Sequence, residues 1–196
     1  MADISILGVD VSSTRTAAVH WQGADGSLPA KQSGAPDVQF IGTGKADHAD
    51  RGARLLWYVE QYNNLFATKY SVLARANITV IEGYAFGARA SQAHSAGEVG
   101  CIVRLAALRH GWRVILASPA AVKLATTGKG NAAKEVMLRE VFRQWSFEAK
   151  DNNDADAYAL MRIAYLYAMT GLPGVATTKL EKQVLSKLEV WGIAAR

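Results

Sequence analysis

The chain has 196 residues, 50% of them hydrophobic and 20% charged, with one cysteine and a net charge of +5. This fits one globular domain with a sizeable core and excludes a fibrous or disordered chain. A lone cysteine, Cys101, excludes an internal disulfide and a cysteine zinc cluster; no apolar run is long enough to span a bilayer, and "MADIS" lacks the pattern of a signal peptide. A cytoplasmic location is the default that follows. The basic balance, with a sequence pI near 9.4, has two readings: ordinary surface chemistry, or a polyanionic partner such as nucleic acid.

Ile4, Ile6, Leu7 and Val9 form an apolar run without polar alternation, which predicts a strand covered on both faces. It ends in a lone carboxylate, Asp10, before the hydroxyl-rich "VSSTRT". A carboxylate there needs a cation, a donor or a proton to offset its charge. Capping the Ser/Thr turn and a functional role are equally open at this point. "AAVHWQG" predicts a second strand and "DVQFIGTG" a third, joined by a Gly-, Pro- and Ser-rich connection between Gly23 and Gly44. From Asp50 to Tyr70, Leu55, Leu56, Val59, Tyr62 and Phe66 share one helical face. "NITVIEG" is another apolar strand, and it ends in a second isolated carboxylate, Glu82.

"SQAHSAGEVGCIVRLAALRHG" predicts a helix with a small-residue stripe at Ala93, Ala96, Gly97, Gly100 and Cys101. Such a stripe admits a close neighbour, either in the core or in a dimer partner, and Cys101 reads as packing. "WRVILAS" is a further strand, and Ser118-Pro119 opens a short helix with good cap chemistry. "TGKGN" is a loop, with Asn131 the expected cap of a helix to Trp145 whose apolar positions include Val136, Met137, Val141 and Phe142. "AKDNNDADAYALMRIAYLYAMTG" begins polar and becomes an apolar helix, and the tail "TTKLEKQVLSKLEVWGIAAR" predicts a final amphipathic helix. This order predicts an α/β fold, a mixed sheet with helices on both faces.

Three places put carboxylates at the edge of an apolar element: Asp10, Glu82 and the pair Asp154 and Asp156. If the two strands are neighbours, Asp10 and Glu82 stand side by side and cannot both stay ionised without a counter-ion. A divalent cation such as Mg²⁺ is the economical solution, and two ions can activate a water and stabilise the leaving oxygen of a phosphodiester. The plainer alternative for Asp154 and Asp156 is stabilisation of a helix start; for Glu82 it is a strand-end charge facing water. In "GKGNAAK", Gly128 and Gly130 offer backbone N–H groups to an anion, with Lys129 and Lys134 adding charge; a flexible turn with a solvated lysine is the alternative. Lys123 precedes it on the short helix. Tyr84, Phe86 and Arg89 after Glu82 suit stacking on unpaired bases or, for the aromatics, the core. The four histidines show no zinc spacing.

"ILGVDVSSTRTA", "ITVIEGYAFG", "SPAAVKLATTGKGNAAKEVM" and "NNDADAYALMRIAY" together resemble the four blocks of the RuvC-type Holliday-junction resolvases, from about Ile4 to Leu166. The resemblance implies the ribonuclease H-like fold with a central mixed five-stranded sheet. It implies a resolvase domain over 1–170 and a homodimer through the helix near 92–108; the tail over 171–196, which the resemblance does not cover beyond Pro173, is expected as a C-terminal helical extension. The implied activity is cleavage of four-way or other branched DNA in recombination, repair or phage DNA processing, with Mg²⁺ or alternatively Mn²⁺, two ions per site.

Carried over onto this sequence, Asp10, Glu82 and Asp156 match the family's metal-binding acids, and Lys123 and Lys134 match lysines that contact DNA near the scissile phosphate. Tyr84 and Phe86 flank the position that matches the family's junction-wedging aromatic, and Phe86 is the preferred candidate. The family has an acid or histidine three residues before the final Asp; here that position is Asn153, a weaker ligand and no general base, and Asp154 one residue on is the candidate replacement. Two other readings stand beside this one. Asn153 motivates a non-catalytic branched-DNA-binding protein, and "GVDVSSTRT" also resembles the phosphate-binding turn of the actin/sugar-kinase superfamily, whose second domain 196 residues cannot hold.

Overall fold

The computed structural model describes residues 3–12, 15–24, 37–42, 50–83, 90–170, 172 and 176–191. The first apolar run is strand β1 (Asp3–Asp10), hydrogen-bonded on one side to β2 (Arg15–Ala24) and on the other to β4 (Ala76–Glu82). With β3 (Asp37–Gly42), β5 (Arg113–Ala117) and β6 (Leu188–Trp191) the sheet runs β3-β2-β1-β4-β5-β6. β1, β4 and β5 are parallel; β2, β3 and β6 run against their neighbours. The sheet is mixed as expected but has six strands rather than five. The extra strand comes from the tail, where the expected helix stops early: α6 spans only Lys179–Leu185, opened by a Thr178/Glu181 capping box. The residues after it pair with the open edge of β5 and satisfy its backbone groups.

Helices cover both faces. On one side lie α1 (Arg51–Lys69) and α2 (Ala90–Arg109); on the other lie α5 (Asn152–Met169), α4 (Lys134–Trp145) and the short α3 (Pro119–Thr127). Strand alternation divides β1 between them, with Ile4 and Ile6 in the core under α5 and Leu7 and Val9 in the core under α1 and α2. α5 lies directly on β1, where Gly8 faces its backbone. A Cβ on Gly8 would overlap the Ala157 carbonyl oxygen and the Met161 nitrogen, so only glycine fits.

The inward stripe of α1 is Tyr58, Tyr62, Leu65 and Phe66. Leu56, expected on it, is 67% exposed, because two residues from Tyr58 place it about 200° round the helix. Cys101 of α2, read as packing, is likewise exposed, as is Phe142 among the apolar positions of α4. α4 starts beyond Asn131: its N-cap is Ala133, with no side-chain cap bond. Among the described residues no helix is long and apolar enough to cross a membrane.

Candidate active site

β1 and β4 are in parallel register through Val9↔Ile81, so Asp10 and Glu82 are the next residues at the same end of two adjacent strands. By the two-residue period, Asp10 shares the side of Ile4 and Ile6 and Glu82 that of Ile78 and Val80, which is the α5 side. α5 brings Asp156 to the same place from its second turn. The Asp10 and Glu82 carboxyls act directly on one another, and two like charges this close cannot both stay ionised without a proton or a counter-ion.

Burial, then the charge of Glu82, pushes the Asp10 carboxyl up to about 8, against the pull of Lys134. Burial foremost also raises Glu82, with the charge of Asp156 adding to it. Asp156 is pushed up to about 6, again by burial first and then by the charge of Asp10. Lys134, the first residue of α4, acts on all three carboxylates, and Lys123 of α3 acts on Glu82 and Asp156. The arrangement is a cluster of one buried acid, Asp10, and two half-buried ones, Glu82 and Asp156, with two lysines beside it, contributed by five elements.

The other expected residues fall elsewhere. Asp154 is 2% exposed, accepts the Lys150 N–H at 3.1 Å, and lies 4.0 Å from Arg15. Two residues along a helix put it about 200° from Asp156, so it does not join the cluster as a substitute for Asn153; burial raises its carboxyl. Asn153 stands one turn before Asp156, about 60° round the axis. The helix start is capped by Asp151, whose side chain accepts the Asp154 N–H at 3.1 Å. After Asp10, Ser12 and Thr16 are hydrogen-bonded to each other, and the Arg15 N–H reaches Ser12 Oγ at 3.5 Å.

In "TGKGN", Gly128 adopts positive φ as the cap of α3 and donates its N–H to the Leu124 carbonyl, so that N–H is not offered to an anion. Lys129 is exposed in that loop and is not among the charges acting on the carboxylates. Tyr84, Phe86 and Arg89 lie outside the described residues.

Two residues that sequence reasoning missed complete the site's support. Arg15, at the start of β2, forms an ion pair with Asp151 and lies over the Phe40 ring at 4.0 Å. This ties the first turn of α5 to the sheet, and the charge of Asp151 adds to the rise at Asp10. The signal was slight: an arginine inside a Ser/Thr turn and an acid one residue ahead of a helix.

The donors present are oxygens only, which suits a hard divalent cation better than a thiophilic one. Among the described residues no three acid, histidine or cysteine side chains already converge on one ligating point. Asp10 and Glu82 form the close pair and Asp156 stands beside it. Two carboxyls that act on each other directly are held by a proton or a cation, so the residues fit the divalent ion that the sequence resemblance implies.

No family model matches the chain, and no curated protein sequence matches it. Solved structures do. The Thermus thermophilus RuvC structure matches with a TM-score of 0.61 at 20% identity, covering 84% of this chain and 96% of that one. T. thermophilus RuvC in complex with Holliday junction substrate matches with a TM-score of 0.66 at 22% identity, covering 85% and 96%. The fold is therefore ribonuclease H-like. Within that class it is the fold of RuvC.

Proposed function

We propose that this chain is a metal-dependent, structure-selective endonuclease acting as a homodimer on four-way or otherwise branched DNA. The observation that carries this reading is the meeting of Asp10, Glu82 and Asp156 at one end of the sheet with Lys123 and Lys134 beside them. The likeness to RuvC bound to a Holliday junction supports branched DNA as the substrate class, and the net charge of +5 supports a polyanion.

Asp10, Glu82 and Asp156 would hold Mg²⁺ or Mn²⁺, with Asn153 a weaker neighbouring oxygen donor. Bound there, divalent ions supply an activated water and charge stabilisation at the leaving oxygen of a phosphodiester. The chain's own residues do the rest. Lys134 and Lys123 bind non-bridging phosphate oxygens and hold the backbone against the acids. The Arg15–Asp151 pair fixes the first turn of α5 and so the reach of Asp156. On α2, no described residue lies within 4 Å of a Cβ built on Gly97, and Cys101 and Leu105 are exposed, at i, i+4 and i+8. A second copy seated on that stripe would present a second site for a symmetric cut.

Asn153 favours one other reading, a branched-DNA-binding protein that does not incise. The test is a labelled four-way junction beside a linear duplex of the same sequence, in Mg²⁺ or EDTA, with wild type and Asp10→Asn. Paired nicks in the junction alone, lost in EDTA and in Asp10→Asn while binding persists, are expected. Junction binding without nicks selects the second reading, and equal cleavage by Asp10→Asn refutes the site.

A further inference from the structure

The end of the sheet opposite the carboxylates carries the most exposed large apolar side chains among the described residues. Between α1 and β4 the Ala74 N–H meets the Ser71 carbonyl at 3.3 Å, which closes a turn with Val72 and Leu73 at its two central positions. Val72 is 85% and Leu73 82% exposed. Central turn positions favour Pro, Asp, Asn, Ser and Gly, whose backbones or side chains suit the bend. Two bulky aliphatic residues there neither help the turn nor fill the core.

The turn is fixed from beneath. Asn77, buried on β4, spends its side chain on Ser71: its carbonyl oxygen accepts the Ser71 N–H at 2.8 Å and its amide donates to the Ser71 carbonyl at 2.9 Å. Gln22 of β2 donates to Ser71 Oγ at 3.2 Å, and the Arg75 N–H to the Asp3 carbonyl at 2.8 Å. A turn held in place presents Val72 and Leu73 with little left to order when a partner covers them.

Tyr70 and Ala74, on either side of those two residues, line a cleft of about 370 Å³ together with Arg75, Leu108, Trp112 and Arg113. No acid is among the described residues of this lining. Arg75 is steadied by a bond to the Ala168 carbonyl at 2.9 Å, and Arg113, the first residue of β5, is exposed. β4 starts beside the cleft at Ala76 and ends at Glu82, about 20 Å away at the rise of a strand. An occupant here therefore leaves the acidic cluster open.

We propose that the turn and cleft dock a short acidic segment of another protein, with its aliphatic or aromatic side chains against Val72, Leu73 and Tyr70 and its carboxylates on Arg75 and Arg113. Charge complementarity selects an acidic segment, since two arginines line the cleft without an acid. The volume is at the small end for a ligand pocket and takes a side chain or two. Aliphatic tips add nothing to the grip on a phosphate backbone, and a membrane surface would not fill a cleft. This surface is independent of the nuclease reading.

The test selects short random peptides displayed on phage against the immobilised full chain. The selected peptides, made synthetically, are then titrated into wild type, Arg113→Glu and the double variant Val72→Ser, Leu73→Ser. Expected are peptides that combine Asp or Glu with Leu, Phe or Trp, and a loss of roughly tenfold or more in affinity in each variant. The double variant should unfold at the wild-type temperature, since neither side chain is packed, and both variants should bind a four-way junction as wild type does. No selected peptide, a peptide without acids, or one that the variants bind equally well overturns the proposal. So does a double variant that unfolds several degrees lower, which would make Val72 and Leu73 packed residues. Weaker junction binding by Arg113→Glu with a shallower salt dependence assigns the surface to DNA instead. An oligomer that the double variant breaks up assigns it to a second copy of the chain, and flotation of wild type with anionic vesicles assigns it to a membrane.

Discussion

The helices on the two faces of the sheet meet its central strands by different means. Under α1 and α2 the core is filled by large rings: Tyr58, Tyr62, Phe66 and Trp112, with Phe66 and Trp112 edge to face at 5.7 Å and the Trp112 indole N–H on the Phe66 carbonyl. Under α5 the contact is made by Gly8 against a helix whose buried positions include Ala155, Ala157, Ala159 and Ala164. Rings hold a helix at a distance and bury much apolar area. Glycine and alanine let a helix backbone rest on a strand, which fixes its height and rotation. The carboxylates stand on the second face. A metal-binding cluster drawn from two strands and a helix needs that helix placed to a fraction of an ångström, and close backbone packing supplies this where a ring-filled interface would not.

The harshest way to break this contrast is a single methyl group. Gly8→Ala puts a Cβ into the Ala157 carbonyl and the Met161 nitrogen, with the Leu160 carbonyl carbon at 2.9 Å. These are backbone atoms and cannot turn aside, so α5 must lift. A destabilisation of about 3 kcal/mol or more is expected, read as a lower urea midpoint with unchanged slope, together with loss of junction cleavage. Near-wild-type stability would mean that α5 has room to move, and the argument from close packing would fail.

A smaller effect sharpens what the second face stores. Burial and Glu82 hold the Asp10 carboxyl at about 8 against 3.8 in an unfolded chain. Between those values the folded protein keeps a proton that the unfolded chain has released. Without metal, the stability it contributes is therefore full below about pH 4 and is lost as the pH rises toward 8. Asp10→Asn has no such proton to lose. In EDTA the variant should be the more stable protein at pH 8, by on the order of 3 kcal/mol, and the two should converge toward pH 4. Mg²⁺ should raise the wild-type unfolding temperature and leave the variant's unchanged. Equal wild-type stability in EDTA at pH 5 and pH 8 would show that Asp10 is not strained in this way.

The division between faces also explains what could be read from the sequence. Apolar strands were legible because a half-covered sheet imposes a period of two and a fully covered one erases it. Asp10 and Glu82 stood out because a charge ending an apolar run is conspicuous, and their adjacency followed once β1 and β4 were neighbours. Helical phase was legible in principle for Asp154 and Asp156, since two residues separate opposite sides, but which side faced the sheet required the packed α5. Arg15 and Asp151 gave only a slight signal. Each looks like ordinary surface charge, and they meet across 136 residues only because β2 begins over the start of α5. β6 was missed because pairing with an open edge is a property of β5 as much as of the four residues that do it.

The mildest test acts on the other face. Tyr62 is buried under α1, and its hydroxyl meets Thr16 Oγ1 at 2.5 Å. Burial holds that hydroxyl far above its usual range, so it remains neutral. Tyr62→Phe removes the bond but leaves the ring, and Thr16 keeps its hydroxyl bond to the Ser12 carbonyl at 3.3 Å, so no buried group is orphaned. The expected cost is about 1 kcal/mol, visible in chemical unfolding. Junction cleavage below the unfolding range should stay within about twofold of wild type, because one hydrogen bond on the ring-filled side leaves Gly8 against α5 and the carboxylates where they are. Thr16 is the next residue to Arg15, which makes this the demanding form of the test. A cleavage rate that falls much further than stability would mean that α1 helps to hold the Arg15–Asp151 tie, and that the site depends on both faces of the sheet.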